Sequence, residues 1–104
     1  MVESIDKSVP EEVRYRDVCI NLSEGSVTKN GVEVPVTKRE FLLTVYLMRT
    51  KNTVMKKERL MEIAWGKEVP DEIRILDNHI RQIREKLQWG DCLVSYLDFG
   101  YELL

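Results

Sequence analysis

Two arginines, two amides and an acid, Arg74, Asn78, Arg81, Gln82 and Glu85, recur at helical intervals through one stretch of this chain. At about 100° per residue all five fall on one side of a helix. Arginine offers a fork of donors, and the carboxamides pair a donor with an acceptor. Such side chains read phosphates and base edges in a nucleic-acid groove. A solvated helix face has the same composition, and from this stretch alone both readings stand. Catalysis has no comparable constellation. His79 is the only histidine, and no Ser or Cys nucleophile stands near a partner base. No glycine-rich phosphate loop and no cluster with metal-ligand spacing is present either. No enzyme activity, metal or cofactor is expected.

The stretch that carries these residues, Asp71–Leu87, is predicted to be one amphipathic helix. Leu76, Ile80, Ile83 and Leu87 form its apolar stripe, with Ile73 on the margin. Two shorter helices precede it. Thr37-Lys-Arg-Glu40 is a capping box, in which Thr37 accepts from the Glu40 amide while the Glu40 side chain reaches back. It opens a helix over about 38–50, with Phe41, Leu42, Val45 and Met48 expected to be buried and Lys51-Asn52 as the stop. Thr53–Met55 reads as a short extended piece. A second helix, 57–65, groups Leu60, Met61, Ala64 and Trp65 and ends at Gly66. The N-terminal third is predicted to be a small antiparallel sheet. Val13–Leu22 reads as its first extended stretch, and Asn30-Gly31 joins Ser26–Lys29 to Val32–Val36 as a hairpin, because both turn residues tolerate positive φ. Pro35 puts its strand at an edge or near its end. After a turn at Gln88–Asp91, Leu93–Tyr96 and Gly100–Leu103 form a last hairpin. The fold class is therefore α+β: an N-terminal antiparallel β-sheet, three helices and a C-terminal β-hairpin, the order of a winged helix-turn-helix with the third helix as reader.

A length of 104 residues, 43% hydrophobic and 33% charged, suits one soluble domain with one core. Residues 1–12, polar and acidic with Pro10, read as a linker or tail, and 13–104 as the domain. No apolar run is long enough to span a bilayer, and no leader pattern opens the sequence, so a cytoplasmic protein is expected. Cys19 and Cys92 each sit in an alternating apolar segment and read as reduced thiols. The net charge of −2 argues against nucleic acid until it is divided along the chain. Residues 1–36 carry four Lys/Arg and seven Asp/Glu, residues 37–89 twelve and eight, and residues 90–104 none and three. A basic middle between acidic ends permits a local positive face.

Four motifs in this order are similar to those of a known family. Val36-Thr37-x-x-Glu40-Phe41-x-Leu43 resembles the LTxxEFxLL segment of OmpR/PhoB-type response-regulator effector domains. Glu58-x-Leu60 followed by Trp65-Gly66 resembles their second helix. Arg74-x-x-Asp77-x-His79-Ile80-x-x-Ile83-Arg84-x-Lys86-Leu87 resembles their recognition helix, and Phe99-Gly100-Tyr101-x-Leu103 their wing. The likeness covers about residues 14–104. It implies a bacterial DNA-binding transcription factor of the two-component kind, normally behind a phosphorylatable N-terminal receiver domain. Such a factor binds tandem half-sites of double-stranded DNA as a head-to-tail homodimer, with RNA polymerase as a further candidate partner. It further implies that Asp77, Asn78, Gln82 and Arg84 lie at base edges. Lys56, Lys57, Trp65, Arg74, His79, Arg81, Ser95 and Tyr101 would lie at phosphates. Structural alternatives stand beside several of these: an ion pair for Asp77, a core aromatic for Trp65 and a wing support for Tyr101.

The chain departs from the family where the wing commonly reads Thr-Val-Arg-Gly-x-Gly-Tyr. Ser95-Tyr96-Leu97-Asp98-Phe99-Gly100-Tyr101 stands there instead, without the arginine that enters the minor groove. Ile75 replaces a hydroxyl, Lys56 replaces the usual cap of the second helix, and Gln82 and Glu85 stand where basic residues are common. Weak sequence-specific duplex binding is the leading expectation. The alternative is a winged-helix protein-interaction module with little or no DNA binding.

Overall fold

The computed structural model describes residues 12–104. Strands β1 (Glu12–Tyr15), β2 (Val18–Asn21), β3 (Ser26–Lys29) and β4 (Val32–Glu33) form an antiparallel sheet in sequence order. Asn30 and Gly31 turn β3 into β4 at φ +53° and +79°, as their side chains allow. The expected strand 32–36 is cut to two residues, because Pro35 has no amide to donate. The stretch read as continuous over 13–22 breaks at Arg16-Asp17. There Arg16 takes φ +55° and Tyr15 pairs with Val18. No Gly or Pro marks this turn. Charges hold it from both sides, Arg16 on Asp91 at 3.0 Å and Asp17 on Lys29. The expectation of a tail over 1–12 falls outside the described residues except at Glu12, which opens β1.

Helix α1 (Lys38–Arg49) begins at the capping box as expected, with Glu40 N–H donating to Thr37 Oγ1 and Thr37 N–H to Glu40 Oε1. Its buried face is set one position round from the expected one. Glu40, Leu43, Thr44, Val45, Leu47 and Met48 are buried, while Phe41 and Leu42 are half-exposed. The shift follows from Glu40, whose carboxylate also receives Lys86 Nζ at 2.6 Å and so turns inward toward the third helix. Short β5 (Met55–Lys56) leads into α2 (Lys57–Trp65), which ends at Gly66 with φ +65°. Helix α3 (Arg74–Leu87) starts three residues later than predicted. Ile75 and Leu76 donate to the carbonyls of Glu72 and Ile73 in a tighter turn, and no side chain caps the helix. Its stripe of Leu76, Ile80, Ile83 and Leu87 is buried as predicted. Gln88 closes it in the left-handed region.

The chain then makes β6 (Leu93–Tyr96) and β7 (Gly100–Leu103), which join β5 in a second sheet of order β5-β7-β6. Gly100 allows this pairing. A Cβ there would stand 2.0 Å from the Met55 carbonyl oxygen and 2.8 Å from its carbon, both backbone atoms that cannot swing away. One core joins the sheets and helices. Trp89, which the turn around it gave no reason to place inside, is 1% exposed and meets Tyr15 edge-on with ring centroids 5.3 Å apart. Gly100→Ala is expected to cost about 3 kcal/mol, at the upper end of overpacking, because β5 and β7 must part. A urea titration measures it, and an unchanged midpoint would contradict the contact.

Candidate nucleic-acid interface

Helix α3 packs its apolar stripe on α1 and α2, so its opposite face is exposed. Arg74, Asn78, Arg81 and Glu85 are exposed on that face and Gln82 is half-buried at its edge. Arg74 makes one loose ion pair, to Glu72 at 3.4 Å, with both side chains largely exposed. Arg81 makes no ion pair to another described residue. Such exposed contacts contribute little stability and leave the guanidinium able to exchange partners.

On one flank of this face the wing is bound to the helix. The Tyr101 hydroxyl donates to Asp77 Oδ1, and Lys57 Nζ lies 3.4 Å from the same oxygen. One turn pair further along, Arg84 donates from Nε to the Leu93 carbonyl at 2.8 Å and from Nη2 to Ser95 Oγ. The Arg84 guanidinium and the Lys57 ammonium both stand within 6 Å of the Tyr101 ring centre, at 5.6 and 5.8 Å. Asp77, Arg84, Lys57, Ser95 and Tyr101, assigned in the sequence to bases and phosphates, are thus gathered into one network. Two positive charges surround one carboxylate and one phenol. Lys57 has only 13% of its side chain exposed, so it is drawn inward. Lys56, exposed at the start of α2, caps nothing with its side chain. The wing compensates, because the Lys57 N–H donates to the Phe99 carbonyl at 3.0 Å.

On the other flank, Trp65 and His79 meet edge-on with centroids 5.0 Å apart, and the Arg39 guanidinium lies 5.1 Å over the Trp65 ring. His79 Nδ1 donates to the Ile75 carbonyl at 2.8 Å. A carbonyl only accepts, so Nδ1 holds a proton, and Nε2 presents a second N–H only in the imidazolium form. Around these residues lies a recess of about 400 Å³ lined by Thr37, Lys38, Arg39, Ala64, Trp65, Glu68 and His79. The start of α1 contributes its free amides, and Lys38 and Arg39 add cationic side chains there. Sequence reasoning did not assign Lys38 or Arg39. Their position directly after the Thr37 cap was the available signal. The exposed face of α3 is therefore edged by a wing-bound network and by a cationic aromatic recess. Among the described residues no group of acidic, His or Cys side chains could hold a metal ion, and no helix is long and apolar enough to cross a membrane.

Two tyrosines report the integrity of this arrangement. Burial, and then the hydrogen bond to Asp77, push the Tyr101 hydroxyl well above the ordinary tyrosine value. Burial, and then contact with Cys92, push Tyr15 up to about 12. A raised folded value means that the stabilisation is fully present below about pH 10, where an unfolded tyrosine ionises, and drains as pH rises toward the folded values. Urea midpoints are therefore expected to fall steadily above pH 10. Tyr101→Phe should lessen that fall by up to about 1.4 kcal/mol per pH unit. A pH profile identical to that of the unsubstituted chain would show that the hydroxyl titrates as it does in the unfolded state.

Among the described residues, a four-stranded sheet, three helices with the third exposed, and a β-hairpin bound to that helix define a winged-helix domain. The chain belongs to the family described as "Transcriptional regulatory protein, C terminal", whose model matches residues 31–103. A solved structure from a family of streptococcal redox sensors evolved from two-component response regulators is 26% identical. Its TM-score is 0.78 over 99% of this chain and 47% of that one. The OmpR/PhoB homologue DrrB of Thermotoga maritima is 20% identical, with a TM-score of 0.80 over 95% of this chain and 46% of its own. The DNA-binding domain of the response regulator AdeR, solved in complex with an intercistronic region, is 21% identical. It has a TM-score of 0.74 over 88% of this chain and 99% of that one. The chain spans about half the length of the first two.

Proposed function

We propose that this domain binds specific duplex DNA sequences as a response-regulator effector in the cytoplasm, with α3 in the major groove. The observation that carries the reading is the exposed face of α3, where Arg74, Asn78, Arg81 and Gln82 lie between two braced flanks. Arg81 and Arg74 have freedom enough to reach phosphates or a guanine edge, and Asn78 and Gln82 can pair with adenine. Asp77 and Arg84 act at the rim, each already holding the wing, so any base contact they make is shared with that role. On the other flank, Arg39 and His79, beside Trp65, receive a phosphate at the start of α1. The AdeR domain, of the same fold, supports the reading by having been solved on DNA. Tandem half-sites, a head-to-tail homodimer, an N-terminal receiver in the full-length protein and contact with RNA polymerase belong to the same proposal.

Selection from a random duplex library is expected to enrich one tandem motif. Against that motif, Asn78→Ala and Gln82→Ala should each relax preference at one base pair by about 1–3 kcal/mol. Arg81→Ala should weaken all sequences alike and lower the salt slope by about one unit. No enrichment, with binding indifferent to sequence, would overturn the proposal. One observation favours the protein-interaction reading instead. The wing tip presents Leu97, 90% exposed, between half-exposed Tyr96 and Phe99 and next to acidic Asp98. It predicts that duplex DNA leaves the amide resonances of residues 74–85 unmoved.

A further inference from the structure

Outside the exposed face of α3, the surface carries two apolar features whose edges have opposite charge. The first is a groove of about 310 Å³ on the outer side of α1. Val45, a core residue, lines it together with half-exposed Leu22, Phe41, Leu42, Tyr46 and Ile63. Its edge is basic. Exposed Arg49 makes no ion pair to another described residue. Arg59, which also pairs with Glu62 at 3.1 Å, donates from Nε to the Tyr46 hydroxyl at 3.4 Å. The second feature is the tip of the β6–β7 hairpin, where Leu97 is 90% exposed, Phe99 48% and Tyr96 39%. Its edge is acidic. Asp98 is exposed beside Leu97, Glu102 accepts from the Tyr96 hydroxyl at 2.6 Å, and residues 90–104 contain no Lys or Arg. The tip is a firm projection, because the two strands pair as far as Tyr96 and Gly100 and the Phe99 N–H donates to the Tyr96 carbonyl at 2.9 Å.

We infer that the hairpin tip of one copy of this chain seats in the α1 groove of a second copy, Leu97 and Phe99 against Phe41, Leu42 and Tyr46, and Asp98 facing Arg49. Charge selects this pairing among the contacts two copies can make. Groove on groove would bring Arg49 and Arg59 against their own kind, and tip on tip would oppose Asp98 to Asp98. Like charges facing across an interface repel. Tip in groove sets acid against cation while covering apolar surface on both partners. Within one chain the tip is unseated, since Leu97 stays 90% exposed. The contact is heterologous: a copy that gives its tip keeps its own groove free, so copies add in one direction. Leu97, Phe99 and Tyr96 cover little area, so the contact is weak between free copies and strengthens when two are held side by side. It names surfaces for the head-to-tail pairing proposed above. It uses no residue of the exposed α3 face, so it is testable without DNA, and its failure would leave the DNA-binding reading standing.

The test is solution NMR on the full 104-residue chain without DNA, followed from dilute to millimolar concentration. Amide resonances of residues 41, 42, 46 and 63 and those of residues 96–99 are expected to move together as concentration rises, while residues 74–82 stay in place. Leu97→Ser and Leu42→Glu should each raise the dissociation constant at least about tenfold, since burying one leucine is worth more than one tenfold step. Leu97 is exposed and Leu42 half-exposed, so both variants keep the fold, which the unmoved α3 resonances verify. Mixing the two variants decides the arrangement. With the Leu97→Ser chain labelled, unlabelled Leu42→Glu chain should move its groove resonances, because an intact tip still meets an intact groove. With the labels exchanged, the tip resonances of the Leu42→Glu chain should move instead. Three results would overturn the inference. One is no concentration dependence up to the millimolar range, and another is a mixture that moves neither set. The third is groove resonances that move while the tip stays still, since another segment would then be the occupant.

Discussion

The arrangement of this domain depends on one close approach of backbone to backbone. At Gly100 the chain comes so near Met55 that no side chain fits, and only this proximity lets β7 pair with β5. The pairing fixes where the next residue, Tyr101, points. Its ring lies under Arg84 and Lys57 and its hydroxyl reaches Asp77. The start of α2, the exposed helix and the wing are thereby made one body. The missing Cβ of a glycine thus does for position what a cluster of large residues does for stability. Without the approach, the wing would hang from α3 by Arg84 alone.

That body has consequences for charge. A helix carrying several cations cannot keep every one free without repelling itself, and this one divides them. Lys57 and Arg84 surround Asp77 and Tyr101 and hold the wing; Lys86 is spent on the buried carboxylate of Glu40. Arg74 and Arg81 remain exposed, with the Arg39 guanidinium across the Trp65 recess. The chain is acidic overall, and its positive field is local because structural ion pairs absorb much of the basic middle segment.

What the residues disclose in advance divides along the same line between local and distant causes. The Thr37–Glu40 box, the Asn30-Gly31 turn, the Trp65-Gly66 helix end and the stripe of α3 were legible because each is settled by neighbours within a few positions. The turn at Arg16-Asp17 was not. It is held by Asp91 and Lys29, which sequence order keeps apart. Trp89 looked like a turn residue because its burial is decided by Tyr15 on the first strand. At the interface the exposed residues of α3 followed from periodicity. The binding of Asp77 and Arg84 to the wing did not, since it needs the sheet in place. Arg39 escaped notice because its partner Trp65 lies on another helix. Leu42 and Phe41 were expected inside because they are apolar, and the inward pull on Glu40 turned them out.

The Tyr15 hydroxyl donates to the carbonyl of Leu104 at 2.6 Å, across 89 positions of sequence. Together with the ring contact to Trp89 and the Arg16–Asp91 pair, it makes the first strand a clasp for the last. In time rather than space, this is a delay. A chain emerging from the ribosome at roughly 5–20 residues per second would expose Tyr15 and Arg16 several seconds before Trp89, Asp91 and Leu104 exist. The helices, whose contacts are near in sequence, can form while the N-terminal sheet still has an unmatched end, and such long separations slow folding. The clasp therefore closes only once its C-terminal partners have been made, and the outer edge of the first sheet is docked late although its strands pair locally.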